Sequence, residues 1–187
     1  MKLLLHACCA PCAASCVTSL REEKIDPCLF WHNPNIHPAA EYEARRDCLA
    51  EYAGREKLKL EMTDEYGLRL FLSAVSSALE KRCAICYSLR LEKTASFAAE
   101  NGFQAFSTSL LISPYQNHDE LKRAGEEAAS RNGVSFLYRD FRPLFRESRE
   151  RARAWGMYMQ KYCGCVFSEE ERWLKKNEKK LARKARP

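Results

Sequence analysis

The chain has 187 residues, 46% of them hydrophobic and 30% charged, with a formal net charge of +6 at pH 7. That is enough apolar material for one well-packed core and too little length to require a second. No run approaches the roughly 20 apolar residues of a membrane-spanning helix. The opening MKLLLHACCAPC offers only Leu3 to Leu5, interrupted by His6, where an export signal needs roughly 7–15 apolar residues. A soluble cytoplasmic protein is therefore expected.

In chain order, Leu3 to Ala7 reads as a buried strand, Cys12 to Glu23 as a helix, Cys28 to His32 as a strand and Ala39 to Tyr52 as a helix. Leu58 to Met62 reads as a further strand, followed by helices over Gly67 to Leu79 and Ile85 to Glu100. FQAFST (Phe103 to Thr108) is a strand, Asp119 to Arg131 a helix and VSFLY (Val134 to Tyr138) the last strand. This alternation predicts an α/β fold, a doubly wound and mostly parallel sheet with helices on both faces. Ligands of such sheets sit beyond the carboxyl ends of the strands. Four unusual loops fall there: the Cys8-Cys9 pair, NPNIHP (Asn33 to Pro38), STSLLISPYQN (Ser107 to Asn117) and RDFRP (Arg139 to Pro143).

Charge is unevenly placed. Lys175 to Arg186 holds seven Lys/Arg and one Glu, and the remaining 24 basic residues are matched by 24 acidic ones. One domain over residues 1–170 with a basic C-terminal helix or tail over 171–187 is expected. Such a tail either binds phosphate backbones, with an affinity that falls with salt, or simply keeps a helix end solvated.

Ten cysteines without an export signal point to metal or redox chemistry rather than to a disulfide framework. They cluster: Cys8, Cys9, Cys12 and Cys16, then Cys83-x-x-Cys86, then Cys163-Gly-Cys165. In RCAIC the sulfurs open a helical pattern, where the helix dipole favours thiolate. Four thiolates hold either a structural zinc ion or an iron–sulfur cluster. Zinc sites usually pair two short C-x-x-C knuckles, whereas the diverging side chains of Cys8 and Cys9 suit a bulkier cluster. Cys163-Gly-Cys165 would close a small, easily reduced disulfide with Gly164 supplying backbone freedom, or would add two metal ligands. Cys16, Cys28 and Cys48 read as packed thiols, and His6 as a core histidine rather than a ligand.

The motifs HACCAPC, NPNIHP, EYEAR, RCAICYSLRL, STSLLISPYQN, YRDFRP and YMQKYCGCVFS, in this order from His6 to Ser168, resemble the QueH family of epoxyqueuosine reductases. The resemblance implies removal of the epoxide oxygen from epoxyqueuosine at the wobble position of tRNA, the last step of queuosine synthesis, by a cobalamin-independent iron–sulfur enzyme of nucleotide-binding (HUP-like) fold. Carried over by position, Cys8, Cys9, Cys83 and Cys86 would hold a four-iron four-sulfur cluster, and Cys163 and Cys165 would form a redox-active pair. A further mononuclear metal ion, iron, is assigned to Cys12 and Asp140. Asp140, Tyr115 and His37 are candidate proton donors, since an acid must reach the leaving oxygen. His37, Tyr115 and Arg142 are candidate substrate contacts. Trp31, Tyr42 and Tyr87 could stack a base or simply pack, and Lys161 and the tail offer phosphate contacts. The expected partners are tRNA carrying epoxyqueuosine and an external electron donor, with no membrane. The rival readings are a zinc-bound tRNA-binding or scaffold protein and a thiol-disulfide oxidoreductase.

Overall fold

The computed structural model describes residues 1–184. Its central strand is β1 (Leu3–His6), whose four residues are all buried. It is followed by α1 (Ala10–Glu22), β2 (Cys28–Trp31), α2 (Ala39–Arg55), β3 (Leu60–Met62), α3 (Leu68–Val75) and α4 (Arg82–Glu100). Then come β4 (Ala105–Thr108), α5 (His118–Asn132), β5 (Ser135–Phe136), α6 (Phe145–Ala154) and α7 (Val166–Lys184). The sheet order is β3-β2-β1-β4-β5 with every neighbouring pair parallel. The mostly parallel sheet expected from the alternation is thus parallel throughout.

Local chemistry accounts for the elements. The run LLLH is apolar on both faces, as a strand covered on both sides must be. Pro11 sits in the first turn of α1, where its missing N–H has no intrahelical role. Behind it Ala10, Ala13, Ala14, Val17 and Leu20 give that helix a small-residue face that packs close to the sheet. Asn117 caps α5 by accepting from Glu120 N at 3.2 Å, and Gly133 ends it at φ 65°. α1 packs against α2 and α6, and α4 against α5, which gives the two helical layers of a doubly wound sheet.

Boundaries moved where caps lay outside the apolar pattern. α1 starts at Ala10 rather than Cys12, and α4 at Arg82, so Cys83 lies inside the helix. The last strand is shorter than VSFLY, with only Ser135 and Phe136 assigned to β5. α6 had no visible stripe because FRESRERARA buries only Ser148 and Ala152. α7 begins at Val166, directly after Cys165, and runs through position 170 into the basic segment. The last three residues of the expected tail lie outside the described residues.

One close approach seals the edge of the sheet. A Cβ on Gly125 of α5 would lie 2.4 Å from the Phe136 ring of β5. Gly125→Ala is therefore expected to lose about 1–3 kcal/mol, read as a lower urea midpoint. Gly54→Ala, with nothing within 4 Å of the added methyl, should leave the midpoint unchanged or raise it.

Candidate metal centre

The strand order reverses between β1 and β4, and the cysteines gather at the carboxyl ends of those two strands. Past β1, Ala7 N still bonds to Phe30 O at 2.9 Å. The chain then turns through Cys8 and Cys9 into α1. Cys12 follows Cys9 by three residues and lies on the same helix face. The sulfurs of Cys8, Cys9 and Cys12 all lie within 4.8 Å of one another. Cys8 also meets the loop after β4, with its N–H 3.4 Å from Ser109 Oγ.

A second group forms where the first turn of α4 meets the segment before α7. Cys83, Cys86, Cys163 and Cys165 line one small cavity together with Asn35 and Arg90. Seven of the ten cysteines thus belong to two adjoining groups. The expected ligand quartet draws Cys8 and Cys9 from one and Cys83 and Cys86 from the other. Cys16 and Cys28 are buried and Cys48 is half-buried, as packed thiols should be.

The Cys163 segment is held by a buried guanidinium. Arg45 is 1% exposed, bonds Glu41 through Nε at 2.8 Å, and donates to Tyr162 O at 2.9 Å and Cys163 O at 3.0 Å. His37 N donates to Gly164 O at 2.8 Å, and the Tyr162 hydroxyl donates to His37 O. Gly164 has φ 134°, and a Cβ there would lie 3.1 Å from Ile36 Cγ1 and 3.3 Å from Arg45 Nη1. Gly164 is therefore required by the fit of this loop on its neighbours, beyond any freedom to close a ring. The two flanking thiols face different partners. Cys163 Sγ accepts from Gln116 Nε2 at 3.6 Å. Cys165 Sγ accepts Ser168 N at 3.4 Å and so caps α7.

Electrostatics separates the thiols. Hydrogen bonds from Cys12 and Cys9 hold Cys8 below the usual thiol range, while bonding among the same sulfurs and burial push Cys9 and Cys12 well up. Burial also raises Cys83 and Cys163 and pushes Cys86 up to about 12. The helix dipole at Cys83 and Cys86 does not overcome their desolvation. Beside both groups lies Arg90, 1% exposed, with Nε bonded to Cys86 O at 3.2 Å and Nη2 without a partner among the described residues. The titratable groups that bear most on its cation are Cys86, Cys163, Cys8 and Tyr87, none of them a carboxylate.

His6 is a core residue. It bonds Thr108 Oγ1 at 2.9 Å and His32 O at 3.2 Å, and burial drives its pKa down to about 3.

Above the first thiol group opens a pocket of about 290 Å³, lined by Cys8, Cys12, Gln160 and Cys163, with Tyr115, Phe145 and Arg149 among its outer residues. Tyr115 is 82% exposed and meets Phe145 edge-on at 5.8 Å. The other candidate aromatics are packed: Trp31 donates to the Tyr42 hydroxyl at 2.9 Å, and the Tyr87 hydroxyl donates to Gln116 Oε1 at 2.7 Å. His37 is buried, with Nε2 on Pro34 O at 3.0 Å, so its side chain supports the loop rather than facing this pocket. Asp140 and Arg142 lie outside both thiol-lined cavities and pair with each other at 2.6 Å. The Arg142 hydrogen bond holds the Asp140 carboxyl at about 2, so it is ionised at neutral pH and has no proton to donate. Gln116, Gln160, Phe145, Arg45 and Arg90 shape the site without having been singled out in the sequence. All but Phe145 do fall within the quoted motifs: Arg45 in EYEAR, Arg90 in RCAICYSLRL, Gln116 in STSLLISPYQN and Gln160 in YMQKYCGCVFS.

A parallel sheet of this order, with a thiol cluster able to offer metal ligands and an open pocket at its switch point, defines a doubly wound α/β protein with its ligand site at the strand ends. The family model described as epoxyqueuosine reductase QueH matches residues 3–171, and the chain belongs to that family. Relatives named epoxyqueuosine reductase QueH include those of Dehalococcoides mccartyi, 38% identical over 94% of this chain and 97% of its own, and of Thermotoga maritima, 35% identical over 91% of each. That of Acinetobacter baylyi is 35% identical over 92% of this chain and 83% of its own. A chain titled a predicted subunit of tRNA methyltransferase from Methanocaldococcus jannaschii superposes with TM-score 0.48 at 12% identity, covering 82% of this chain and 88% of that one.

Removing the Arg45 fork tests its role. Arg45→Met strands the buried Glu41 and two carbonyls, so a loss of about 3–5 kcal/mol is expected, with faster alkylation of Cys163 by iodoacetamide. Arg46→Met, which breaks surface pairs with Asp47 and Asp64, should cost about 1 kcal/mol or less and leave that rate unchanged.

Proposed function

We propose that this chain is an epoxyqueuosine reductase, acting on tRNA that carries epoxyqueuosine in the anticodon loop, with a four-iron four-sulfur cluster and a redox-active Cys163/Cys165 pair. The observation that carries this reading is the meeting of seven thiols in two adjoining groups, with a pocket over the first that Tyr115 and Phe145 also line. Membership of the QueH family supports the substrate assignment.

The residues fit an anionic metal centre. A buried arginine whose Nη2 has no partner among the described residues, and which faces thiols and a phenol, needs a counter-charge. A cluster held by four thiolates would supply it. Cys8, Cys9, Cys83 and Cys86 would hold the cluster, drawing two ligands from each thiol group. Cys12 would remain for a second metal ion, with Gln160 Nε2 already directed at Cys9 Sγ (3.0 Å) and Cys12 Sγ (3.6 Å). When bound, such a centre supplies single-electron transfer and a Lewis-acidic iron.

The chain's own groups account for the rest of the reaction. Converting the epoxide to an alkene consumes two electrons and two protons and releases the oxygen as water. The Cys163 and Cys165 thiols, on forming one S–S bond, release two electrons and two protons, which balances that step. An external electron donor then returns the pair to thiols. Cys163 lines both the pocket and the thiol cavity, so it can serve either side. Tyr115 and Phe145 at the mouth would stack an unpaired base, and Tyr115, with its exposed phenol, is the better placed of the candidate acids. The Asp140–Arg142 pair would bind at the rim, with Arg142 directed at phosphate. The absence of a helix long and apolar enough to cross a membrane among the described residues is compatible with a tRNA substrate.

A second reading has its own support, because Cys83, Cys86, Cys163 and Cys165 already share a cavity and could together form the ligand set. Iron and acid-labile sulfide in protein purified without oxygen decide between the two. About four of each is expected in the native chain. Cys163→Ser with Cys165→Ser should keep them and abolish conversion of epoxyqueuosine tRNA, while Cys8→Ser with Cys9→Ser should lose them. Loss in the first double variant and retention in the second would move the cluster to the other quartet. Zinc without sulfide would replace the reductase by a zinc-bound tRNA-binding protein. Arg90→Met should lower the cluster's midpoint potential, since the cation favours the more negative, reduced state.

A further inference from the structure

The polar face of α7 forms a groove that neither the thiol centre nor the family match accounts for. Arg172, Lys175, Lys176 and Lys179 follow the i, i+3, i+4, i+7 spacing of a single helix face, and all are exposed. Together with Lys161 they line a groove of about 420 Å³. The acidic residue on its wall, Glu171, is paired with Arg82 and so does not neutralise them. The stripe begins at Arg172, where the family model's match ends at residue 171.

The groove is not isolated from the site. Lys161, Tyr162 and Cys163 line both it and the pocket over Cys8 and Cys12. A nucleotide whose base enters that pocket remains joined to its neighbours through phosphates on both sides, and these must leave along a surface continuous with the mouth. The four α7 cations span about 10 Å along the helix, the scale of a short run of successive phosphates. A membrane or an acidic peptide could meet a basic helix face as well, but neither explains why the groove continues into the pocket.

We propose that the α7 groove is the backbone-binding surface for the substrate RNA, gripping the phosphates that flank the nucleotide held over the thiol centre. This rests on the tRNA reading above. The occupant is a single-stranded polyribonucleotide segment, recognised through charge and without reading its sequence.

The test uses the cluster-loaded full chain and a fluorescent anticodon stem-loop RNA. In Lys175→Gln/Lys176→Gln/Lys179→Gln the dissociation constant should rise about 10- to 100-fold near physiological salt. The slope of log K against log salt should fall by about 2 to 3, at roughly 0.7–0.9 for each phosphate no longer neutralised. With epoxyqueuosine tRNA, KM should rise while kcat at saturation is kept, which separates loss of grip from damage to the centre. Lys24→Gln, in the turn between α1 and β2 at the amino end of the sheet, should keep the native slope. Native-like affinity and slope in the triple variant would overturn the groove assignment while leaving the reductase reading intact. A native chain that ignores the stem-loop would overturn that reading itself, and binding to phosphatidylserine vesicles in its place would reassign the groove to a membrane surface.

Discussion

The arrangement of the site depends on the buried guanidinium of Arg45. Its fork links α2, through Glu41, to the carbonyls of Tyr162 and Cys163, and so fixes a segment otherwise without regular structure against the strand ends. Burying a charge is costly unless all of its donors are used, and Arg45 uses them on a carboxylate and two backbone oxygens. The position of Cys163 then follows from a core interaction rather than from loop conformation. Gly164 extends the same constraint, because its φ of 134° is one that side chains rarely adopt and a Cβ there would press on Ile36 and Arg45.

The chain uses cations in three physical settings. Arg45 is buried and matched. Arg90 is buried beside thiols with one nitrogen unpartnered, a state that is stable only against an anionic neighbour. The α7 cations are exposed and face water. Their strengths differ accordingly: the buried pair acts through a low-dielectric interior and is little affected by salt, whereas the helix stripe is screened over roughly 8–10 Å. A change of salt therefore acts on the helix stripe and hardly on the buried arginines, although Cys163 adjoins both the thiol cavity and the groove.

The alternation of apolar runs and amphipathic segments was sufficient to read a parallel sheet with two helical layers, because each buried strand is too apolar to be anything else. α6 was not legible, since a helix that buries only Ser148 and Ala152 leaves no stripe. The cysteine groups were visible as clusters in sequence, but the closeness of Cys163 and Cys165 to Cys83 and Cys86 was not, as it arises from a loop folding back over the sheet. Gln116, Gln160 and Phe145 carry no spacing signal at all. Trp31, Tyr42 and Tyr87 looked like candidates for stacking because they neighbour rim motifs, yet each is buried with its polar atom bonded internally. Distance along the chain from a motif says little about which way a side chain faces.

The protonated state of the thiols bears on how the protein is put together. Cys9, Cys12, Cys83, Cys86 and Cys163 all bind their protons more tightly than a free thiol. Thiol side chains also build the interior: Cys8 and Cys9 belong to the core around β1, with Cys12 packed against it, and Cys86 and Cys165 belong to a second, smaller core. Sulfurs that pack as apolar groups thus serve the interior as well as any chemistry done there. An ion bound there would be held by atoms of the core, and each thiol that became its ligand would surrender a proton on capture.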